Sequence, residues 1–242
     1  MAAEVLCCRW TLLVVRELLL GSVRFNDLRR GLPRMSAALL AKRLKGLEAA
    51  GIVTRTRAAG ATDAHEYHLT PAGRELRPVV EAVGVWGQRW VTTEATLRHL
   101  DANLLMWDIR RNVDPEPPPA ARTTIEFIFS DRQPPQRNYW LVVGRERDVD
   151  LCMVDPGFDV DLYVTTDLRT LTEVWLGYRD WARAKDGGAI RLSGRRECEL
   201  DLRAWLRLSV FAAVPKLAPE RRGSRGGKLP TLEKGAAMFG GR

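Results

Sequence analysis

The chain is poor in the residues that build chemistry. It has four cysteines and three histidines in 242 residues. Four cysteines in a chain this long make no disulfide framework, which points to a reducing cytoplasm. His65 and His68 lie three apart on a strand-like segment, so they face opposite sides and share no metal. No other Cys/His spacing suits zinc, and neither metal nor cofactor is expected. Phosphate loop, nucleophile elbow and dinucleotide fingerprint are all missing. Asp155, Asp159 and Asp161 cluster near a turn, but their alternation with Val160 and Leu162 reads as the wet side of a strand, not an acid–base pair. No apolar run reaches the ~18–20 residues needed to cross a bilayer. The most apolar stretch, Thr11 to Leu20, carries Arg16 and Glu17 in its middle, so it suits neither a membrane helix nor a signal peptide. The sequence therefore argues against an enzyme and against a membrane partner.

What is present is a globular composition, 45% hydrophobic and 28% charged, with a formal net charge of +8. The length suits one large or two small domains. Residues 1–100 carry 15 basic and 9 acidic groups, residues 101–220 carry 17 and 20, and residues 221–242 carry 6 and 1. A basic first segment followed by an acidic one places any nucleic-acid contact in the first.

In that segment Leu6, Trp10, Leu13 and Leu18 recur at helical spacing up to Gly21, which suits a left-handed cap. Asn26 can cap a short second helix, with Phe25 as a staple and Leu28 and Leu32 facing inward. Ser36 caps a third helix that runs to about Ala50. On its wheel Leu40, Leu44 and Leu47 share one face, while Ala38, Ala41, Lys42 and Lys45 lie opposite. That second face is slim and basic, fit to enter a groove and meet phosphates; Arg43 lies nearer the buried stripe. An alternating strand from Ile52 to Arg57, a turn over Ala58 to Ala64 and a return strand over Glu66 to Leu69 complete a winged helix-turn-helix. Thr70 and Pro71 then start a helix on which Leu76, Val79, Val83, Trp86 and Trp90 follow a 3-4-3-4 spacing, a coiled-coil-like seam suited to dimerisation. The same stripe could instead pack within the chain. Pro78 is expected to kink this helix.

Arg9-Trp10-Thr11-Leu12-Leu13, Arg16-Glu17-Leu18, Arg24-Phe25-Asn26-Asp27-Leu28, Leu40-Ala41-Lys42-Arg43-Leu44 and Leu69-Thr70-Pro71-Ala72-Gly73 resemble the HxlR family of bacterial winged-helix transcription regulators. The resemblance covers residues 4 to about 90. It implies a homodimer on a palindromic double-stranded DNA operator, with Ser36, Ala37, Ala38, Ala41, Lys42, Arg43 and Lys45 at the major groove and Arg55 and Arg57 on the wing. The family pattern runs most of a helical turn or more ahead of Glu4-Val5-Leu6, often with a sensor cysteine there, so either the start codon is misassigned or the first helix is short. Cys7 and Cys8 fall where small residues usually sit. They are expected to be buried, with redox or electrophile sensing as the alternative.

The second half opens with an amphipathic helix through Leu97, Leu100, Leu104, Trp107 and Ile109, then a stiff Asp114–Pro119 link. Strand-like runs follow at 122–130, 139–145, 149–154 and 160–165. Helices are expected at 168–177 and 178–184, a strand at 190–194 and a closing helix at 199–208. Asp159-Val160-Asp161-Leu162, Thr165-Thr166-Asp167, Leu176-Gly177 and Gly188–Gly194 are similar to a sterol-carrier-protein-type domain, a fold that the same regulators sometimes carry at their C-terminus. The resemblance implies an apolar cavity for a hydrophobic small molecule between sheet and helices. On the sequence, Trp140, Leu162, Val164, Val174, Trp175 and Tyr178 are its candidate lining, and core packing is the competing reading of the same residues. Cys152 and Cys198 are expected in the core.

The expected fold class is therefore α+β. A winged-helix DNA-binding and dimerisation domain spans 1–92, a sterol-carrier-like ligand-binding domain 93–210, and a flexible basic tail 211–242. The functional expectation is a DNA-binding transcription regulator controlled by an apolar ligand; a hydrophobic-ligand carrier that uses its winged helix to dimerise is the alternative.

Overall fold

The structure, a computed structural model, describes residues 2–57 and 65–217. The expected wing turn at 58–64 and most of the expected tail lie outside them. The first module is α1 (Ala2–Leu6), α2 (Thr11–Leu19), α3 (Phe25–Gly31), α4 (Ala37–Ala49), the antiparallel hairpin β1 (Val53–Arg57) and β2 (His65–Leu69), α5 (Pro71–Arg74) and α6 (Arg77–Trp90). Val14, Val15, Leu18, Leu28, Leu40, Leu44 and Leu47 close its core.

Several local expectations are corrected. The first helix is broken, because Trp10 takes a left-handed conformation with φ 78° ahead of α2. That break rotates Leu13 to the surface and turns Val14, Val15 and Leu18 inward. Asn26 does not cap α3; Arg24 holds the cap position with extended backbone and no side-chain bond, and Asn26 lies one residue inside the helix. Pro78 kinks nothing. The chain already breaks at Glu75 and Leu76, and Pro78 stands in the first turn of α6, where no intrahelical N–H partner is lost. Gly21, at φ 91°, takes the left-handed conformation expected after α2.

The second module begins with α7 (Thr93–Thr96), a 3-10 turn over Leu97–His99, and α8 (Ala102–Asn112), whose Leu104 N–H donates to the Asp101 side chain at 3.0 Å. Five strands follow, β3 (Thr123–Phe129), β4 (Asn138–Val143), β5 (Val149–Cys152), β6 (Leu162–Thr166) and β7 (Ile190–Gly194), in the order β5-β4-β3-β6-β7. Only the central pair β3·β6 is parallel. The helices α9 (Leu168–Trp175), α10 (Trp181–Asp186) and α11 (Arg196–Trp205) join α8 on one face. Strand alternation sends Ile125, Phe127, Phe129, Tyr139, Leu141, Leu162 and Val164 to that face, where all are buried against Met106, Leu171, Val174, Leu202 and Trp205.

Of the expected tail, residues 211–217 do not trail away. Ser209 N–H donates to Trp175 O at 2.9 Å and Leu217 N–H to Arg89 O at 2.8 Å. Phe211 occupies the space a side chain at Gly84 would need, and Ala212 does the same at Gly177. This segment ties the end of α9 to α6.

The two modules also meet across a buried charge cluster. Glu17 of α2 is 0% exposed; Arg16 Nη2 donates to its Oε1 at 2.6 Å and Arg111 Nη2 of α8 to its Oε2 at 3.0 Å. Arg111 also pairs with Asp108 at 2.8 Å. Only glycine fits at position 31, because a Cβ there would collide with the Glu17 carboxylate. Burial pushes the Asp108 carboxyl above its ordinary range, against the opposing pull of Arg111.

Candidate nucleic-acid interface

α4 owes its position to one cap and one stripe. Leu39 N–H donates to Ser36 Oγ at 3.3 Å, satisfying a first-turn donor that would otherwise lack a partner. Leu40, Leu44 and Leu47 are buried. With that face committed, Ser36, Ala37, Ala38, Ala41, Lys42 and Lys45 all come to the surface on the other side. Neither Lys42 nor Lys45 has an ion pair among the described residues. The small alanines leave the helix narrow enough for a major groove, and two unpaired ammonium groups flank them.

Arg43 differs from its neighbours. It is half-buried, and its Nε donates to the Arg9 carbonyl at 3.1 Å, which locks α4 to the turn before α2. It is a structural residue first. Arg55 and Arg57 are exposed on β1, with Arg55 Nη2 3.1 Å from His65 Nδ1 across the hairpin. The hairpin is anchored at its base, where Thr70 Oγ1 donates to Gly51 O at 2.7 Å and accepts from Gly73 N–H at 3.1 Å.

On α6 the expected seam divides. Val79, Val83, Trp86 and Trp90 form an exposed apolar stripe, with Trp86 61% accessible, and Pro78 and Ala82 extend it. Leu76 leaves the stripe, because it precedes the helix and turns in with Val80 against the first module's core. The opposite side of α6 is occupied: Gln88 Nε2 donates to Leu176 O at 3.1 Å, and Tyr178 Oη donates to Gln88 Oε1 at 2.9 Å. Coiled-coil spacing marks out the stripe, but not which end of it lies outside the helix.

The six expected lining residues of the second module are not all together. Leu162, Val164, Val174 and Trp175 share the closed core between sheet and helices. Trp140 points to the other side of the sheet, since Tyr139 and Leu141 on either side of it face the core. Tyr178 lies past the end of α9 where that helix meets α6, and Lys216 Nζ donates to its Oη at 2.9 Å. The single alternation that assigned Leu162 and Val164 to one face could not place residues from other elements.

Three of the four cysteines depart from expectation as well. Cys7 and Cys8 are exposed, not buried, because the short α1 ends before them. Cys198 is in the core and Cys152 is half-buried on the far side of the sheet; burial raises both thiols. Among the described residues no group of three or more His, Cys, Asp or Glu side chains could hold a metal ion, and no helix is long and apolar enough to cross a membrane.

Sequence reasoning missed the Glu17 cluster. A glutamate inside the most apolar helix was a visible signal; its partner Arg111, 94 residues on, was not.

Comparison of the sequence with known proteins places the first module in a known family. A model of the HxlR-like helix-turn-helix matches residues 5–95. An uncharacterized HTH-type transcriptional regulator of Bacillus subtilis, YvaP, is 37% identical over 90 residues, covering 37% of this chain and 83% of its own. An uncharacterized HTH-type transcriptional regulator of Mycobacterium tuberculosis is 33% identical over 141 residues, covering 51% of this chain and 87% of its own. Among solved structures, the redox regulator HypR in its reduced form shares 33% identity over 36% of this chain and 86% of that one, with a TM-score of 0.34.

Proposed function

The chain belongs to the HxlR-like helix-turn-helix family of DNA-binding transcription regulators, and from that premise we propose that it works as a symmetric dimer that lays two copies of α4 into successive major grooves of a palindromic operator. The observation that carries this reading is the exposed face of α4, where Ser36, Ala37, Ala38 and Ala41 lie beside the unpaired Lys42 and Lys45. Arg55 and Arg57 on the hairpin extend the interface to the flanking backbone. The exposed stripe of Val79, Val83, Trp86 and Trp90 supplies the two-fold seam, since a patch of this kind is normally covered by a partner. A cytoplasmic location follows from that role.

The second module is proposed as the effector domain. Its resemblance to a sterol-carrier domain suggests an acyl or polycyclic ligand between the sheet and α9, beside Leu162, Val164, Val174 and Trp175. Those four side chains are packed together, so entry requires α9 to move off the sheet. The test is duplex binding by the full chain across a salt series, using DNA selected from a random pool, with and without a fluorescent fatty acid. Steep salt dependence and a two-fold symmetric selected site support the reading; salt-independent binding overturns the groove assignment. Fatty acid that fails to bind overturns the apolar ligand alone.

A further inference from the structure

A cavity of ≈ 410 Å³ opens between the two modules, walled by α3, the turn before α4, α8 and the end of β5. Its floor is apolar, with Met35, Trp107, Leu151 and Met153, and its polar groups are almost all donors. Arg29 lines it and has no ion pair among the described residues. Arg30 lines it too, with one bond to Asp27 at 3.2 Å. Asn103 is oriented by Tyr139, whose Oη donates to Asn103 Oδ1 at 2.7 Å. Burial pushes the Tyr139 phenol up to about 12, so it stays a donor and Asn103 keeps its oxygen turned to it, leaving the amide NH2 to serve the cavity. Trp107 is 6% exposed, and its buried Nε1–H has no acceptor among the described residues.

We propose that this junction cavity is a binding site for a small aromatic carboxylate. The carboxylate meets Arg29, Arg30 and the Asn103 amide, and the ring lies against Met35, Leu151 and the indole of Trp107. The volume suits a one- or two-ring acid, at the small end of ligand pockets of about 300–1,000 Å³. A neutral ligand of the same shape would leave the guanidinium groups without a charge partner, which gives the site its sign. The position matters. Pro33 and Met35 line the cavity, and Met35 stands directly before Ser36, the cap of α4, so a bound acid touches the segment that sets the start of the DNA-facing helix. This site is separate from the sheet–helix core proposed above for an apolar ligand.

The experiment is calorimetric titration of the full chain with 2-naphthoate, with 2-naphthylmethanol as the uncharged probe. Saturable binding of one naphthoate per chain is expected, with the alcohol at least about tenfold weaker. Arg29→Gln, at an exposed position that folding does not need, is expected to weaken naphthoate about tenfold. Equal binding of the acid and the alcohol, unchanged affinity in Arg29→Gln, or no saturation at millimolar naphthoate would each overturn the proposal. Duplex binding measured on the same samples separates the two readings. Normal DNA affinity without naphthoate binding sinks the junction site alone, whereas naphthoate binding without DNA affinity sinks the groove assignment alone.

Discussion

The cations of α4 and those of the module junction carry the same charge and are set to opposite tasks. Lys42 and Lys45 are exposed and have no ion pair among the described residues. Arg16 and Arg111 are folded onto Glu17, a carboxylate with no solvent exposure, and Arg110 and Arg111 lie 5.1 and 5.6 Å from the Trp107 ring centroid. An exposed charge without a partner costs the fold little and remains available to phosphate. A buried set of one carboxylate and two guanidiniums contributes little net stability over an apolar substitute, but it penalises any arrangement of the modules that separates its members. One set of charges is kept free for a partner, and the other fixes the relation between α2 and α8.

The sharpest way to break that contrast is to remove one member of the buried set. Glu17→Ala leaves Arg111 buried without its α2 partner and is expected to cost about 3–5 kcal/mol of unfolding free energy in urea denaturation. Loss of less than about 1 kcal/mol would mean that water reaches the cluster and the junction is not held by it. Assembly is the next largest effect. Val83→Glu places a charge in the middle of the α6 stripe, at a residue 52% exposed in the single chain, so the fold should tolerate it while the dimer does not. Light scattering at micromolar concentration should read dimers for the parent and monomers for the variant. Dimers that survive the charge would put the two-fold seam elsewhere.

The two regions were also unequally legible. α4 could be read from its sequence because everything that defines it is local: a cap at Ser36, leucines three and four apart, and small residues opposite. The β-hairpin and the strand segments of the second module were equally local patterns, whereas the pairing order of those strands in the sheet is not a local feature. What failed were features set by distant residues or by one unusual dihedral. Trp10 at φ 78° turned Leu13 outward, and nothing in its neighbours announces a left-handed tryptophan. Leu76 obeyed the heptad spacing yet lay one residue ahead of the helix. Trp140 and Tyr178 fall away from Leu162, because strand alternation sends Trp140 to the other face and Tyr178 bonds to Gln88, 90 residues earlier. The Glu17–Arg111 pair spans the whole distance between modules, which no periodicity reports.

The free cations of α4 give a smaller effect, and one confined to binding. Replacing Lys42 and Lys45 together with alanine should leave the unfolding midpoint unchanged, because both lie outside the core. It should reduce the slope of log K against log salt by about 0.9 for each phosphate that these ammonium groups neutralise. An unaltered slope would show that the wing or another face meets the phosphates instead.

The smallest expected effect lies again in the junction and concerns pH. Asp108 pairs with Arg111, yet burial outweighs that attraction and raises its carboxyl above the ordinary value. A raised native pKa means that the folded chain holds the proton more tightly than the unfolded one. The stabilisation from this group is therefore complete below the ordinary carboxylate range and is lost as pH rises through the raised native value. Asp108→Asn mimics the protonated form and removes that dependence. Compared with the variant, the parent should fare best in acid and lose ground as pH approaches neutrality, read as the difference between their urea midpoints at several pH values. The opposite trend, with the parent gaining on the variant as pH rises, would mean that attraction to Arg111 outweighs burial. Asp108 would then belong with Glu17 as a stabilising member of the buried set.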